Sequence, residues 1–317
     1  VETTRRPFHP VLNILLLFAF AFAGQLIGFF LGLYLAAPFF DGSMDELQKL
    51  AFSGNTEKRM WLPLMIVQGC AAIFGFIILP IVLMRTRFSI NSLWFRKKIL
   101  PTTLALVVLI VLSFMVVDSV IAVWNKNIDF PSWMDGFESW AKELEDSQAK
   151  TSMFLTQFDD VSALLIGLIV VALIPGIGEE VLFRGFLQNE FYRGTKNIHV
   201  AIWLSAFLFS AIHFQFFGFV PRLLLGALFG YLYHWSGSIW TPIVAHFVNN
   251  GVIVIAIYVY QHGNLAVDPN AETAAPWAAV AGAAIIFVLL LVYFKKLTDA
   301  QPLINENSDT NPSPSID

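Results

Sequence analysis

The chain has 317 residues, 57% of them hydrophobic and 13% charged, with a formal net charge of −4 and a single cysteine. Its mean hydropathy of +0.68 lies outside the range of water-soluble domains and inside that of polytopic membrane proteins. One cysteine excludes an internal disulfide, and the net charge says little about partners because charges in such a chain are sorted between two membrane faces; nothing in it calls for nucleic acid.

Eight apolar segments are predicted as helices: 11–37, 61–84, 100–124, 161–192, 199–217, 219–235, 239–260 and 276–294. The first is too long for a signal-peptide core and is followed by no small-residue cleavage site, so it is expected to be a retained helix. It carries Gly24, Gly28 and Gly32 at four-residue spacing, which lets a neighbouring helix approach closely. The outer loop that follows contains Met44, Leu47 and Leu50, a weak amphipathic pattern. In the second segment Cys70 is expected to pack rather than react, and Gln68, like Asp118 in the third, is expected to be a hydrogen-bonded structural group.

Between the third and fourth segments, Trp133, Phe137, Trp140 and Leu144 recur at helical spacing among Glu138, Lys142, Glu143 and Glu145. This is the pattern of an amphipathic helix on the membrane surface, either passive or a lid over the bundle. The fourth segment is apolar only in its first half, and the sixth is short and repeats the small-residue spacing with Gly226 and Gly230. From Thr298 onward the Asn, Asp, Ser and Pro content predicts disorder. The chain thus divides into helices 1–3 with their loops (1–160), a core (161–262), an eighth helix (263–297) and a tail (298–317).

Basic residues orient the bundle. With both termini cytoplasmic, the inner segments hold twelve: Arg5, Arg6, Arg85, Arg87, Arg96, Lys97, Lys98, Arg184, Arg193, Lys196, Lys295 and Lys296. The outer segments hold seven: Lys49, Lys58, Arg59, Lys126, Lys142, Lys150 and Arg222.

The chemistry is concentrated in three places. Glu179 and Glu180 end an apolar run in which Val161 to Ile177 carries no charge. An ionisable group at membrane depth costs about 2.5–3.5 kcal/mol on insertion scales unless paired or wetted, and so marks a functional site by default. Glu180 and Arg184 stand four residues apart and can pair, whereas Glu179 projects about 100° away and stays free. Phe209 with His213, and His246 with Asn250, each share a helix face by the same spacing.

Glu179 lies fourteen residues before Arg193 and His213 fourteen after His199, so both should sit about 20 Å from the intervening turn, with His246 and Asn250 in the same layer. A carboxylate with an imidazole can activate water, and a second imidazole with a carboxamide can donate to a developing oxyanion. Pro175, Gly176 and Gly178 can kink or widen the helix to admit that water. No cofactor is expected; the alternative is a divalent ion such as zinc held by Glu179, His213 and His246. His199 and His234 fall near helix ends, and His9 and His262 in loops.

These three motifs, Glu179-Glu180-x-x-x-Arg184, Phe209-x-x-x-His213 and His246-x-x-x-Asn250, resemble those of the Rce1-like CAAX-protease and bacteriocin-processing family of intramembrane endopeptidases. The resemblance covers about Val161 to Tyr260. It implies an all-α fold of eight membrane helices, with Glu179 as general base and His213 positioning the water. It further implies an oxyanion hole of His246 and Asn250, and a pocket shaped by Glu180 and Arg184.

The expectation is a multi-pass protein of a bacterial inner membrane that hydrolyses a peptide bond of a membrane-associated protein or peptide, reached from the cytoplasmic side or laterally from lipid. The alternatives are a non-catalytic binding or immunity protein of the same fold and a proton-coupled transporter. Neither the cleavage sequence nor the oligomeric state follows from the chain.

Overall fold

A computed structural model describes residues 9–54, 56–87, 99–265, 267–271 and 273–299. These form ten helices and no strand. They are α1 (Pro10–Ala36), α2 (Met44–Ser53), α3 (Lys58–Arg85), α4 (Pro101–Lys126), α5 (Asp135–Leu155), α6 (Val161–Thr195), α7 (Ile198–Ala211), α8 (Phe219–Ser236), α9 (Trp240–Gln261) and α10 (Trp277–Asp299). Among the described residues six helices, α1, α3, α4, α6, α9 and α10, are long and apolar enough to cross a membrane. The chain is a multi-pass, all-α membrane protein. Arg5, Arg6, Arg96, Lys97, Lys98 and the tail beyond residue 299 lie outside the described residues.

All eight predicted segments are helical, but the fifth stops early. Helix α7 ends at Ala211, and residues 212–218 form a turn in which Phe214 takes a positive φ of 52°. That conformation is uncommon for a bulky side chain. The turn is held from outside: Ser210 Oγ donates to Phe219 O at 2.7 Å, and Asn125 bridges Phe216 O and the Val220 N–H. Hydrogen bonds made elsewhere therefore override the apolar pattern that predicted a continuous helix.

Helix α1 packs along α3 through its glycine row. A Cβ on Gly24 would stand 2.4 Å from Phe74 O, one on Gly28 2.4 Å from Cys70 O, and one on Gly32 2.7 Å from Val67 Cα. Backbone thus lies directly against backbone, which is how helices associate where lipid supplies no hydrophobic drive. The start of α1 is tied to the end of α6, where Asn13 Nδ2 donates to Glu190 Oε2 at 2.9 Å and Arg193 pairs with the same oxygen at 2.7 Å. Gly194 lies beside Pro10. The α6–α7 turn and the start of α1 therefore share one end of the bundle.

The loops of α4–α5, α7–α8 and α9–α10 share the other end. Helix α5 is amphipathic as expected, and it binds the α7–α8 turn rather than lying free. Phe137 and Trp140 pack on Phe216, Glu145 Oε1 accepts from the Phe217 N–H at 2.8 Å, and Gln148 Nε2 donates to His213 O at 3.2 Å. Helix α2 forms on the weaker pattern, capped by Ser43 Oγ on the Glu46 N–H and closed by Gly54 at φ 65°.

Candidate active site

Helix α6 is not a uniform α-helix. Wide π turns at Leu168–Leu173 and Val181–Leu187 flank the short α-helical stretch Ile174–Glu180 that carries both glutamates. Such turns shift the phase of the helix and loosen carbonyls from the regular ladder, and they recur at functional sites. Here side chains from other turns meet those carbonyls. Asn250 Nδ2 donates to Val171 O, Ser205 Oγ to Phe183 O, and Asn189 Nδ2 to Arg184 O and Gly185 O, at 3.2, 3.1, 3.2 and 2.8 Å. Gly176 and Gly178 permit close packing, since a Cβ there would stand 3.2 Å from Phe247 N and 2.8 Å from Phe76 Cβ.

The two glutamates have opposite surroundings. Glu180 is fully buried, and its Oε1 accepts from Arg184 Nη1 and from His246 Nδ1, each at 2.8 Å. Arg184 Nη2 donates onward to Gly226 O at 2.7 Å, joining α6 to α8. Phe209 and Phe229 hold this network from the apolar side, with the guanidinium 4.7 and 5.4 Å from their rings. Phe229 also stacks on His246, which Phe209 meets edge-on. Glu179 forms no hydrogen bond among the described residues; its nearest basic group is His246 Nε2 at 4.0 Å.

Glu179, His213, His246 and Asn250 open into one cavity of about 610 Å³. The level placement inferred from residue counting is realised. His213 Nδ1 lies 2.7 Å from Phe209 O, one turn back, which directs Nε2 away from its own helix. Bound to Glu180, His246 likewise carries its proton on Nδ1 when neutral and presents a bare Nε2 toward Glu179. Asn250 Oδ1 accepts from Asn249 Nδ2 at 3.1 Å.

Four further residues of this region were not singled out as site residues. Asp118, expected to be a hydrogen-bonded structural acid, instead lines the cavity with its Oδ1 buried and unpartnered. Arg222, counted only as an outer-loop charge, lines the same cavity, as does Asn249. Phe229 was indistinguishable from other aromatic residues of its segment. A lone acid in a membrane helix was the available signal for Asp118; Arg222 carried none beyond its charge. The remaining described histidine contacts lie elsewhere: His199 with the Tyr231 hydroxyl, His262 with Tyr258 O, and His9 at the start of α1.

The cavity runs from the glutamate layer to Val267, Asp268, Pro269 and Thr273 of the α9–α10 loop, at the end of the bundle away from the α6–α7 turn. With the termini cytoplasmic, as the basic residues predict, that is the outer end. Among the described residues no three His, Cys, Asp or Glu side chains stand in a geometry that could hold a metal ion.

Comparison with known families settles the resemblance. Residues 161–252 match the family of type II CAAX prenyl endopeptidase Rce1-like proteins. All three motifs of this Rce1-like segment fall within the match. The chain is also similar to two proteins of Bacillus subtilis (strain 168). It is 30% identical over 94 residues to "Uncharacterized protein YpbD", covering 28% of this chain and 45% of that one. It is 30% identical over 97 residues to "Putative membrane peptidase YdiL", covering 31% and 39%. The matched region thus spans less than half the length of either relative. No solved structure matches the chain significantly.

Proposed function

We propose that the chain is an intramembrane endopeptidase, seated in a bacterial inner membrane, that hydrolyses a peptide bond of a membrane-associated protein or peptide with water activated by Glu179. The observation that carries this reading is the division of labour between adjacent carboxylates. Glu180 is locked by Arg184 and His246, while Glu179 faces the cavity unbonded, 4.0 Å from His246 Nε2. A carboxylate that is free, desolvated and beside an imidazole acceptor is the arrangement a general base needs.

In the proposed step Glu179 takes a proton from water as the water oxygen bonds to the scissile carbonyl carbon. The C=O electron pair moves to the carbonyl oxygen. Collapse of that intermediate breaks the C–N bond, and the proton held by Glu179 passes to the leaving amine. The bare Nε2 of His213 accepts from the same water and orients it, while Glu180 and Arg184 fix the His246 ring. A membrane-associated peptide is the substrate class that reaches a cavity walled by membrane helices, entering at the α9–α10 end.

The test compares the termini of membrane proteins in cells that express the wild-type chain with those expressing Glu179→Gln. New termini present only with wild type are expected. Identical profiles at equal expression would remove the hydrolase reading and leave a binding or immunity role for the same fold.

A further inference from the structure

This inference rests on the hydrolase reading and concerns what meets the oxyanion. The family resemblance assigns that task to His246 and Asn250, so the donors each has left can be counted. Asn250 has two amide hydrogens and already donates from Nδ2 to Val171 O. His246 holds Glu180 through Nδ1, and in that neutral tautomer Nε2 is an acceptor. His213 directs Nδ1 at Phe209 O and is in the same position. Arg184 is 1% exposed and bound to Glu180 and Gly226 O, behind the His246 ring. One amide hydrogen is a thin provision for a full negative charge in a cavity shared with Glu179 and Asp118.

Arg222 changes that count. Arg222 lines the cavity with Glu179, His213, His246 and Asn250, and also lines a polar chamber of about 420 Å³ beneath α5. It therefore stands at the passage between the two. Its hydrogen-bond partners are both neutral: Gln215 Oε1 from Nη2, and Gly218 O from Nη1 at 3.4 Å. A guanidinium carries five N–H donors, so most of its hydrogens are uncommitted. The acids that face it are Glu179, Asp118 and Glu145, none within ion-pair distance.

We propose that Arg222 is a catalytic residue that donates to the carbonyl oxygen of the tetrahedral intermediate. The charge balance supports this role. As Glu179 takes the water proton it becomes neutral, and the same unit of negative charge appears on the carbonyl oxygen. A cation lining the same cavity faces one anion before the step and another after it. It thus spares the cavity any net reorganisation, the condition under which a preorganised donor lowers a barrier most. The turn that places Arg222 is the one fastened by Gln148 and Glu145 of α5, so α5 sets the position of this donor as well as covering the site.

The experiment uses the full chain in lipid nanodiscs with a pool of quenched-fluorescence apolar peptides, comparing wild type, Arg222→Gln, Arg222→Lys, Arg222→Ala and Glu179→Gln. Arg222→Gln is expected to lower kcat about 10²–10³-fold while KM stays within about twofold. Arg222→Lys should retain an intermediate rate, and added guanidinium ion should restore part of the Arg222→Ala rate. A kcat within about threefold of wild type in Arg222→Gln overturns the proposal. So does a loss accompanied by a lower melting temperature that guanidinium does not relieve, since that marks a structural role. Wild-type cleavage that persists in Glu179→Gln overturns Glu179 as the base, and a wild-type protein that yields no product overturns the underlying hydrolase reading itself.

Discussion

The α1–α3 contact and the α6–α9 cluster are both helix interfaces at membrane depth, and they are built on opposite principles. Between α1 and α3 the interface is dominated by small residues and apolar side chains, with Gly24, Gly28 and Gly32 set against the backbone at Phe74, Cys70 and Val67. Among α6, α7, α8 and α9 the interface holds two carboxylates, a guanidinium and an imidazole, of which Glu180 and Arg184 are among the least exposed side chains. Lipid offers no gain for apolar contact, so the first interface depends on close approach; the second tolerates charge because Glu180, Arg184 and His246 bond to one another, which leaves Glu179 without a hydrogen bond. The exception is where chemistry becomes available.

The largest expected effect breaks the functional side alone. Glu179→Gln should lower peptide cleavage about 10²–10⁴-fold. Because Glu179 makes no hydrogen bond, its melting temperature in detergent should stay at the wild-type value; a large fall would mean that Glu179 is structural like Glu180. The wild-type rate should also decline toward acid pH, since a protonated Glu179 carboxyl is no longer basic enough to take the water proton. A rate that is level through the acid limb would remove Glu179 as base.

Arg184→Met strikes the structural member of the same cluster. It leaves Glu180 buried and half-paired, and should cost about 3–5 kcal/mol of stability, read by unfolding in mixed micelles. The double variant with Glu180→Gln should recover part of that loss; no recovery would mean that the two side chains are not coupled.

Gly28→Val tests the other interface. The added atoms meet Cys70 O and Ala71 Cα, so the cost should be about 1–3 kcal/mol in the same unfolding assay, with kcat unchanged. An unaltered stability would show that α1 can move off α3 at little cost.

The smallest effect falls on the surface of α5. The hydrogen bond from Lys142 holds the Glu138 carboxyl below its usual range. A group with a depressed folded-state pKa contributes stability above its unfolded value and loses it as pH falls through the folded one. Lys142→Ala should therefore lower the melting temperature slightly at neutral pH, and the difference from wild type should vanish in acid. A difference that persists in acid would assign the effect to the Lys142 ammonium over the Phe217 ring instead.

Much of the site was legible beforehand because its geometry is local. The i to i+4 spacing of Glu180 with Arg184, Phe209 with His213 and His246 with Asn250 fixes a shared helix face regardless of the fold, and counting from the α6–α7 turn brings Glu179 level with His213. Asp118, Arg222 and Phe229 could not be placed this way. None of them has a motif partner one turn away on its helix, and the role of each depends on which other helix it meets.

The amino-acid sequence by itself determined that this is a helical membrane protein, which residues carry charge into the bilayer, and which pairs of them share a face, since apolar length and helical periodicity depend only on neighbours along the chain. The spacing of Glu180 and Arg184 already set those two apart from Glu179; tertiary structure added the second partner of Glu180, because only the packing of α9 on α6 brings His246 Nδ1 to its Oε1. It also decided where α7 stops and which end of the bundle the cavity faces, since the hydrogen bonds of Asn125, Glu145 and Gln148 that shape the turn come from segments far apart in the chain.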